Sequence, residues 1–154
     1  MKRVFVFALA LLALAGCGEA EKADVPKDGF SVGDICTKKG RQCIVVRVNL
    51  DRKSGLLMSL EETQCGWNDA NLWAASFGSD WRLPTKLELE AIYNIKDRVD
   101  AVFSEYGIPI LGRKDYWSSD EAGYADAWYV DMGDGYAKCG GLNLHAYVRA
   151  VSEF

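Results

Sequence analysis

The sequence is poor in histidine and proline and has no apolar run long enough to cross a membrane. Of its 154 residues, one is histidine and three are proline. No two cysteines have the Cys-x-x-Cys spacing typical of zinc sites. The longest apolar stretch, residues 4–14, is well short of the roughly 20 residues that span a bilayer. The single histidine, His145, has no sequence neighbour that identifies a partner, so it gives no candidate general base.

The first 17 residues have the pattern of an export signal. Lys2 and Arg3 precede the apolar stretch, and the small residues Ala15 and Gly16 lead into Cys17. A basic start, an apolar run and small residues at the cleavage point are typical of a signal peptide. The segment resembles the lipobox of bacterial lipoproteins, which implies cleavage before Cys17 and attachment of lipid to that cysteine. We therefore expect residues 1–16 to be a lipoprotein signal peptide and Cys17 to be the lipidation site, with enough acyl chains for stable anchoring.

The rest of the chain divides into a short tether and one domain. Residues 17–29 comprise the lipidated cysteine and a small, charged, proline-containing segment, which we expect to be a flexible tether. Residues 30–154 have the length of a single domain. The expected location is the cell envelope, with the lipid anchor as the membrane contact. The outer membrane is favoured because Gly18 is not the aspartate associated with inner-membrane retention, while the periplasmic and surface faces both stay open.

The acidic charge balance argues against nucleic acid as a partner. The chain has 18 Lys and Arg against 22 Asp and Glu, and loss of Lys2 and Arg3 with the signal peptide would leave 16 against 22. Affinity for nucleic acid comes mainly from basic side chains that neutralise phosphates.

The four remaining cysteines, in a chain bound for an oxidising compartment, predict two disulfides. They are Cys36, Cys43, Cys65 and Cys139. Four cysteines permit three pairings, but a hairpin that turns at Lys39-Gly40 places Cys36 opposite Cys43, within disulfide reach. Cys65 would then pair with Cys139. A metal site is the alternative, which the lack of close cysteine spacing and of further histidines disfavours.

The order of elements predicts an α+β fold, with strands first, two central helices and strands last. Asn68 or Asp69 is expected to cap the first helix, which Gly78 would end. Thr85 and Glu88 form a capping box for the second, whose periodicity continues to residue 107. A single strand over residues 146–151 closes the pattern.

Five motifs in order resemble the Lcl C-terminal domain family, over roughly residues 30–151. In chain order they are Gly33-Asp34, Trp81-Arg82-Leu83-Pro84-Thr85 with Glu88-Leu89, Tyr116-Trp117-Ser118-Ser119 with Glu121, Ala127-Trp128, and Tyr147-Val148-Arg149-Ala150-Val151. The resemblance implies a C-type-lectin-like fold, with small antiparallel sheets and termini brought together. We interpret a subset of these residues as structural: Trp81, Arg82, Pro84, Thr85, Glu88, Trp117, Trp128 and Arg149.

One segment combines acids, tyrosines and glycines and is the candidate ligand site. Its residues are Asp120, Glu121, Tyr124, Asp126, Asp134 and Tyr136. Aromatic faces with adjacent carboxylates suit a glycan or a cationic peptide, and carboxylate oxygens could also hold calcium. No other cofactor is expected. A solvated acidic rim is the alternative interpretation of the same residues.

These patterns favour a non-catalytic, lipid-anchored envelope protein whose lectin-like domain binds a glycan or a protein. The family's namesake, an adhesin, is associated with sulfated polysaccharides, which require a basic surface that this acidic chain lacks. The alternative is a structural or accessory subunit of an envelope assembly. A third hypothesis, an enzyme of the formylglycine-generating superfamily, is disfavoured because the chain is too short for that superfamily's insertions.

Overall fold

The computed structural model describes residues 26–154. The predicted signal peptide, Cys17 and most of the predicted tether lie outside the described residues. The helices of this part of the chain are α1 (Trp67–Ala75), α2 (Lys86–Asn94) and α3 (Lys96–Tyr106). Its strands are β1 (Ile35–Lys38), β2 (Arg41–Val48), β3 (Gly55–Ser59), β4 (Thr63–Cys65), β5 (Asp115–Gly123), β6 (Asp126–Asp131), β7 (Ala137–Gly141), β8 (Ala146–Val148) and β9 (Val151–Glu153). None of the helices in residues 26–154 is long and apolar enough to cross a membrane.

The strands form two sheets, which confirms the predicted α+β class. The four-stranded sheet has the order β1-β2-β3-β9, and the five-stranded sheet has the order β4-β8-β5-β6-β7. The paired neighbours are antiparallel, apart from β5 and β8, which run parallel and meet at Tyr116 and Tyr147. The five-stranded sheet is therefore mixed.

The first hairpin has the predicted turn and register. Lys39 and Gly40 have φ values of 48° and 76°, the positive angles that a two-residue type I′ turn requires. The turn fixes the pairing of β1 with β2, and Cys36 lies directly opposite Cys43.

The helices differ from the prediction at two points. Helix α1 begins at Trp67 with Gly66 as its N-cap, so the predicted cap at Asn68 or Asp69 is wrong; both residues lie inside the first turn. The capping box of Thr85 and Glu88 at the start of α2 is confirmed. The helix then breaks at Ile95, and α3 continues to Gly107. The break lets both helices direct their buried side chains into one apolar cluster.

The final strand of the prediction is two strands in different sheets. Residues Ala146–Val148 form β8 of the five-stranded sheet, whereas Val151–Glu153 form β9 of the four-stranded sheet. The chain crosses between the sheets at Arg149 and Ala150, and both residues are buried. Periodicity could not reveal this crossing because each of the two strands has only three residues.

Two apolar clusters fill the interior. The first contains Trp81 and Trp117, and the second contains Phe103 and Tyr116. The two ends of the domain meet at the first cluster, where the rings of Phe30 and Phe154 pack edge to face with centroids 5.0 Å apart. This arrangement agrees with the adjacent termini that the family resemblance implied.

Candidate functional site

The predicted ligand residues do not form one site. Glu121, Tyr124 and Asp126 lie at the β5–β6 hairpin, whereas Asp134 and Tyr136 lie at the turn between β6 and β7. Strand β6 separates the two groups, and its six residues span about 20 Å. The sequence therefore predicted one site where the fold has two separate surfaces.

Asp120 has a structural role at the start of α2. Its Oδ2 atom accepts a hydrogen bond from the backbone N–H of Lys86, the first residue of the helix. A carboxylate at this position satisfies an unpaired donor and stabilises the helix dipole. The neighbouring Tyr124 is fully exposed at the tip of the hairpin.

The β6–β7 turn holds the denser group of polar side chains. We call Asp115, Asp131, Asp134, Tyr136 and Lys138 the turn site. Lys138 Nζ lies 2.7 Å from Asp131 Oδ2 and 3.0 Å from Asp134 Oδ2, so it bridges the two carboxylates. Asp115 stands directly opposite Asp131 on the adjacent strand β5. Tyr136 completes the group with a ring that is 71% exposed.

The three carboxyl groups of the turn site differ in the direction of their pKa shifts. Hydrogen bonds from Lys138 and from the backbone N–H of Gly133 lower the pKa of Asp131. The Tyr136 N–H and Lys138 likewise lower the pKa of Asp134. Burial and the neighbouring Asp131 instead raise the pKa of Asp115. The site thus combines two firmly ionised carboxylates with a third that holds its proton more readily.

The partly buried ring of Tyr129 lies on the same face of the sheet as Asp115 and Asp131. Asp115 and Trp117 on β5 are paired with Asp131 and Tyr129 on β6, so all four lie on one face of the sheet. The Tyr129 ring packs edge to face on Trp117 with centroids 5.8 Å apart. Burial and the charge of Asp115 raise the pKa of the Tyr129 hydroxyl.

The prediction missed Asp115, Tyr129 and Lys138 as neighbours of Asp134 and Tyr136. The period-2 pattern of β5 and β6 was the available signal, but the register between the two strands was unknown. Without that register, the residues that face one another across the strands cannot be identified.

A small depression adjoins the turn site on the helix side. It measures about 280 Å³ and is lined by Tyr93, Asn94, Lys96, Asp97, Met132 and Gly133. The Tyr93 ring lies against the backbone of Gly135, where an added Cβ atom would come within 2.4 Å of its Cε1 atom. Gly135 also has a φ of +80°, so glycine is required there for both reasons. The turn therefore holds Tyr93 as one wall of the depression.

The fold brings together the two cysteines of one predicted disulfide. The Sγ atoms of Cys36 and Cys43 lie 3.4 Å apart and form a thiol hydrogen bond. This bond lowers the pKa of Cys36 and raises that of Cys43. All four described cysteines are free thiols. The Cys36–Cys43 disulfide stays a prediction, for which the register provides the required proximity.

The predicted pairing of Cys65 with Cys139 stays a prediction. Cys65 ends strand β4 and Cys139 is the central residue of β7, and in the order of the five-stranded sheet these two strands are the edges. The N–H of Trp67, two residues after Cys65, donates to the carbonyl of Leu142, three residues after Cys139. The segments that follow the two cysteines therefore meet, but the structure forms no bond between the two sulfurs.

The motif residues are placed in the interior or at a helix start. Trp81 and Trp117 are buried, and Trp128 is partly buried under the Lys86 ammonium, 4.5 Å from its ring centroid. Pro84, also buried, precedes the Thr85 cap. Arg82 pairs with Glu88 at 2.7 Å, and its backbone pairs with Val151.

Arg149 is the most deeply buried charge of these motifs. Its guanidinium donates to the carbonyls of Ser59, Leu60 and Pro109. It also lies 3.1 Å from a carboxylate oxygen of Glu62. These contacts tie three loops together, as the structural interpretation requires.

Residues that could support metal or histidine chemistry are dispersed. His145 is exposed in the turn before β8, and within residues 26–154 no three His, Cys, Asp or Glu side chains are placed to hold a metal ion together. At the turn site, Lys138 already occupies the space between the two closest carboxylates.

Comparison with family models gives a match over most of the chain. The family model of the Lcl C-terminal domain matches residues 41–152, a range that extends from β2 into β9. A search of curated proteins finds no match to the chain.

Proposed function

The chain belongs to the Lcl C-terminal domain family, and from this premise we propose that it is a lipid-anchored, non-catalytic envelope protein that binds a glycan or a protein ligand. The anchor would be Cys17, and the binding surface would be the turn site with its adjoining depression. Family membership carries the fold, but fold alone does not fix function. The proposal therefore depends on the chemistry of the site.

One observation carries the proposal: an exposed aromatic ring, two ionised carboxylates and a depression meet at one rigid turn. Ligand sites are typically concave surfaces in which a few placed polar groups fix the ligand's orientation. Tyr136 offers an apolar ring face, and Asp131 and Asp134 offer hydrogen-bond acceptors. Sugar hydroxyls and peptide ammonium groups are both donors that suit these acceptors.

The structure of the turn favours recognition without rearrangement. Asp131 Oδ1 accepts the Gly133 N–H, and Asp134 Oδ1 accepts the Tyr136 N–H. Lys138 then holds the remaining oxygen of each carboxylate. A site fixed in this way loses little conformational entropy when a ligand binds.

The binding test uses the full chain in detergent, screened on a glycan array and in pull-downs from envelope extracts. For each hit, the variant is Tyr136→Ala and the matched control is Tyr124→Ala, an exposed tyrosine at the other end of β6. We expect Tyr136→Ala to weaken binding at least tenfold, while Tyr124→Ala leaves it unchanged. Empty screens, or equal losses in the two variants, would contradict the proposal.

The lipid anchor needs a separate test because it rests on the lipobox alone. Cells that express the chain are grown with radiolabelled palmitate, and the membrane fraction is compared with that of Cys17→Ser. We expect label in the unmodified chain and none in the variant. Label that persists in Cys17→Ser would contradict the anchor.

A structural subunit of an envelope assembly is the second candidate. It is favoured by two exposed leucines on consecutive helices of the chain, Leu72 of α1 and Leu87 of α2, each 71% exposed. Exposed apolar side chains are common protein contacts when they form a patch. A partner whose capture survives Tyr136→Ala but is lost in the Leu72→Glu, Leu87→Glu double variant would support this candidate over the first.

A further inference from the structure

Strand β7 is an open edge of the five-stranded sheet. It has five residues, Ala137–Gly141, and is the longest of the four strands that end a sheet in residues 26–154. The other three, β1, β4 and β9, have four, three and three residues. An edge strand presents unpaired backbone donors and acceptors, which makes it a template for another strand.

Flanking hydrogen bonds show which backbone groups of β7 point away from the sheet. Asp131 N donates to Tyr136 O at one end of the ladder, and Leu142 N donates to Ala125 O at the other. In an antiparallel pair, alternate residues direct their N–H and C=O groups toward the partner strand. Ala137, Cys139 and Gly141 therefore direct theirs outward. Of these groups, the Gly141 carbonyl accepts a bond from Leu144 N.

The outward groups are symmetric about Cys139, the central residue of the strand. If two copies of β7 pair antiparallel about this residue, each Cys139 stands opposite the other. Ala137 then faces Gly141 of the second copy, and Lys138 faces Gly140. Each ammonium thus meets a residue without a side chain, and in its own chain it is already neutralised by Asp131 and Asp134.

Cys139 has the exposure and the freedom that this pairing needs. It is exposed, and its side chain lies on the sheet face opposite to that of Lys138 because alternate residues face opposite sides. The structure forms no bond between Cys139 and Cys65, its predicted partner. Mutually hydrogen-bonded residues in an antiparallel pair have Cα atoms about 5.5 Å apart, which is within the usual disulfide range.

We propose that β7 pairs with β7 of a second copy of this chain, antiparallel about Cys139, and that an intermolecular Cys139–Cys139 disulfide locks the pair under oxidising conditions. In the non-covalent dimer, the five-stranded sheets of the two copies join at β7 and form one continuous ten-stranded sheet. In the disulfide step, one Cys139 thiolate attacks a small-molecule disulfide and releases one thiol. The second Cys139 then attacks the mixed disulfide and releases the second thiol. The small disulfide is reduced to two thiols as the protein loses two protons and two electrons.

The non-covalent contact is tested with the full chain in density-matched detergent, by sedimentation equilibrium under reducing conditions. Cys139→Ser is expected to keep the monomer–dimer equilibrium. Ala137→Pro, which removes an outward donor at the start of the strand where proline is tolerated, is expected to raise the dissociation constant at least tenfold. The matched control is Thr37→Pro on β1, an edge strand of the four-stranded sheet. There the bond from Val45 N to Asp34 O implies that the Thr37 N–H also points outward.

Thermal melts of each variant separate loss of pairing from loss of folding. If Ala137→Pro fails to fold, the result is decided by Gly141→Pro, which removes the outward N–H at the other end of the strand and is expected to weaken dimerisation in the same way. A chain that stays monomeric at all concentrations, or dimerises equally well as Ala137→Pro, would overturn the strand pairing.

The covalent lock is tested by incubation of the full chain with oxidised glutathione, followed by non-reducing electrophoresis. We expect a band near twice the mass of the monomer band, reversed by reductant and absent in Cys139→Ser. Mass spectrometry should identify a Cys139–Cys139 linked peptide. Dimers linked through another cysteine, or a Cys139 linkage that forms equally fast in Ala137→Pro, would overturn the proposal.

Discussion

The Arg149 guanidinium and the Glu62 carboxylate form an ion pair of 3.1 Å in which the arginine side chain is 1% exposed. Glu62 is also bound by Lys114 at 2.7 Å and by the hydroxyl of Tyr116. Burial and the adjacent Glu62 raise the pKa of Tyr116, against the opposing charge of Arg149, so this hydroxyl stays a donor. Arg149 lies where the chain crosses between the sheets. The network therefore holds this crossing against the segment between β3 and β4, which contains Glu62, and the segment between α3 and β5, which contains Pro109.

Replacement of Arg149 by methionine is expected to destabilise the domain strongly. The change leaves the carbonyls of Ser59, Leu60 and Pro109 without this donor and removes one of the partners of Glu62. Removal of one partner of a buried ion pair costs about 3–5 kcal/mol. Urea denaturation measures the loss. The control is Arg82→Met. The Arg82 side chain pairs with Glu88 but is 42% exposed, so we expect its replacement to lower the free energy of unfolding by only about 0–1 kcal/mol. Equal losses in the two variants would contradict the assigned role of Arg149.

Asp80 is expected to make the free energy of unfolding of the domain depend on pH below pH 4. Burial alone would raise the pKa of Asp80, but hydrogen bonds from Lys38 and Lys39 outweigh it and lower the pKa from 3.8 to about 2. A lowered folded-state pKa stabilises the ionised form, so this contribution is complete above pH 4 and is lost as the pH falls toward 2.

The stability difference between the unmodified chain and Asp80→Asn should therefore shrink between pH 4 and pH 2. Urea unfolding at several pH values measures it. As the control, Asp97→Asn changes an exposed aspartate that makes no ion pair among residues 26–154. A difference for Asp80→Asn that stays constant over this range would contradict the pairing with Lys38.

The Cys36–Cys43 disulfide is expected to form in the oxidised protein and to stabilise it. The chain-entropy treatment of a loop of this length gives about 2–3 kcal/mol. In a Cys139→Ser background, reductant should lower the unfolding midpoint, and the Cys36→Ala, Cys43→Ala double variant should abolish that effect. Cys65→Ser should retain it. Reaction of Cys36 and Cys43 with a thiol reagent in the unfolded, oxidised chain would contradict the prediction.

Gly135 is expected to tolerate alanine less well than Gly40 does. Both residues have similar positive φ values, 80° and 76°, so both variants carry left-handed strain of about 1–2 kcal/mol. At Gly135 the new Cβ also meets the Tyr93 ring, whereas at Gly40 no atom lies within 4 Å. Overpacking adds about 1–3 kcal/mol. Equal midpoints of denaturation for Gly135→Ala and Gly40→Ala would show that Tyr93 moves aside freely.

Two local signals in the sequence predicted the geometry correctly. The Lys39-Gly40 turn fixed the register of Cys36 and Cys43, and Thr85 with Glu88 fixed the start of α2. Each of these depends on residues a few positions apart. Their geometry follows from backbone sterics and short hydrogen bonds.

Features that depend on distant parts of the chain were not predictable in the same way. The parallel contact of Tyr116 with Tyr147 brings β8 between β4 and β5. The turn site likewise depends on the register of β5 against β6, which includes two irregularities. No local pattern encodes either relationship, so the predicted ligand residues included both ends of β6.

Because Phe30 and Phe154 are in contact, the two ends of the domain lie side by side. A module with adjoining ends can be inserted into an exposed loop of a host protein without forcing the host to stretch, and its ends can be joined by a short linker. Cutting such a circularised chain at the exposed β2–β3 loop, residues 49–54, would create new termini without removing a strand. The domain is thus suited to transplantation and to circular permutation as an intact unit.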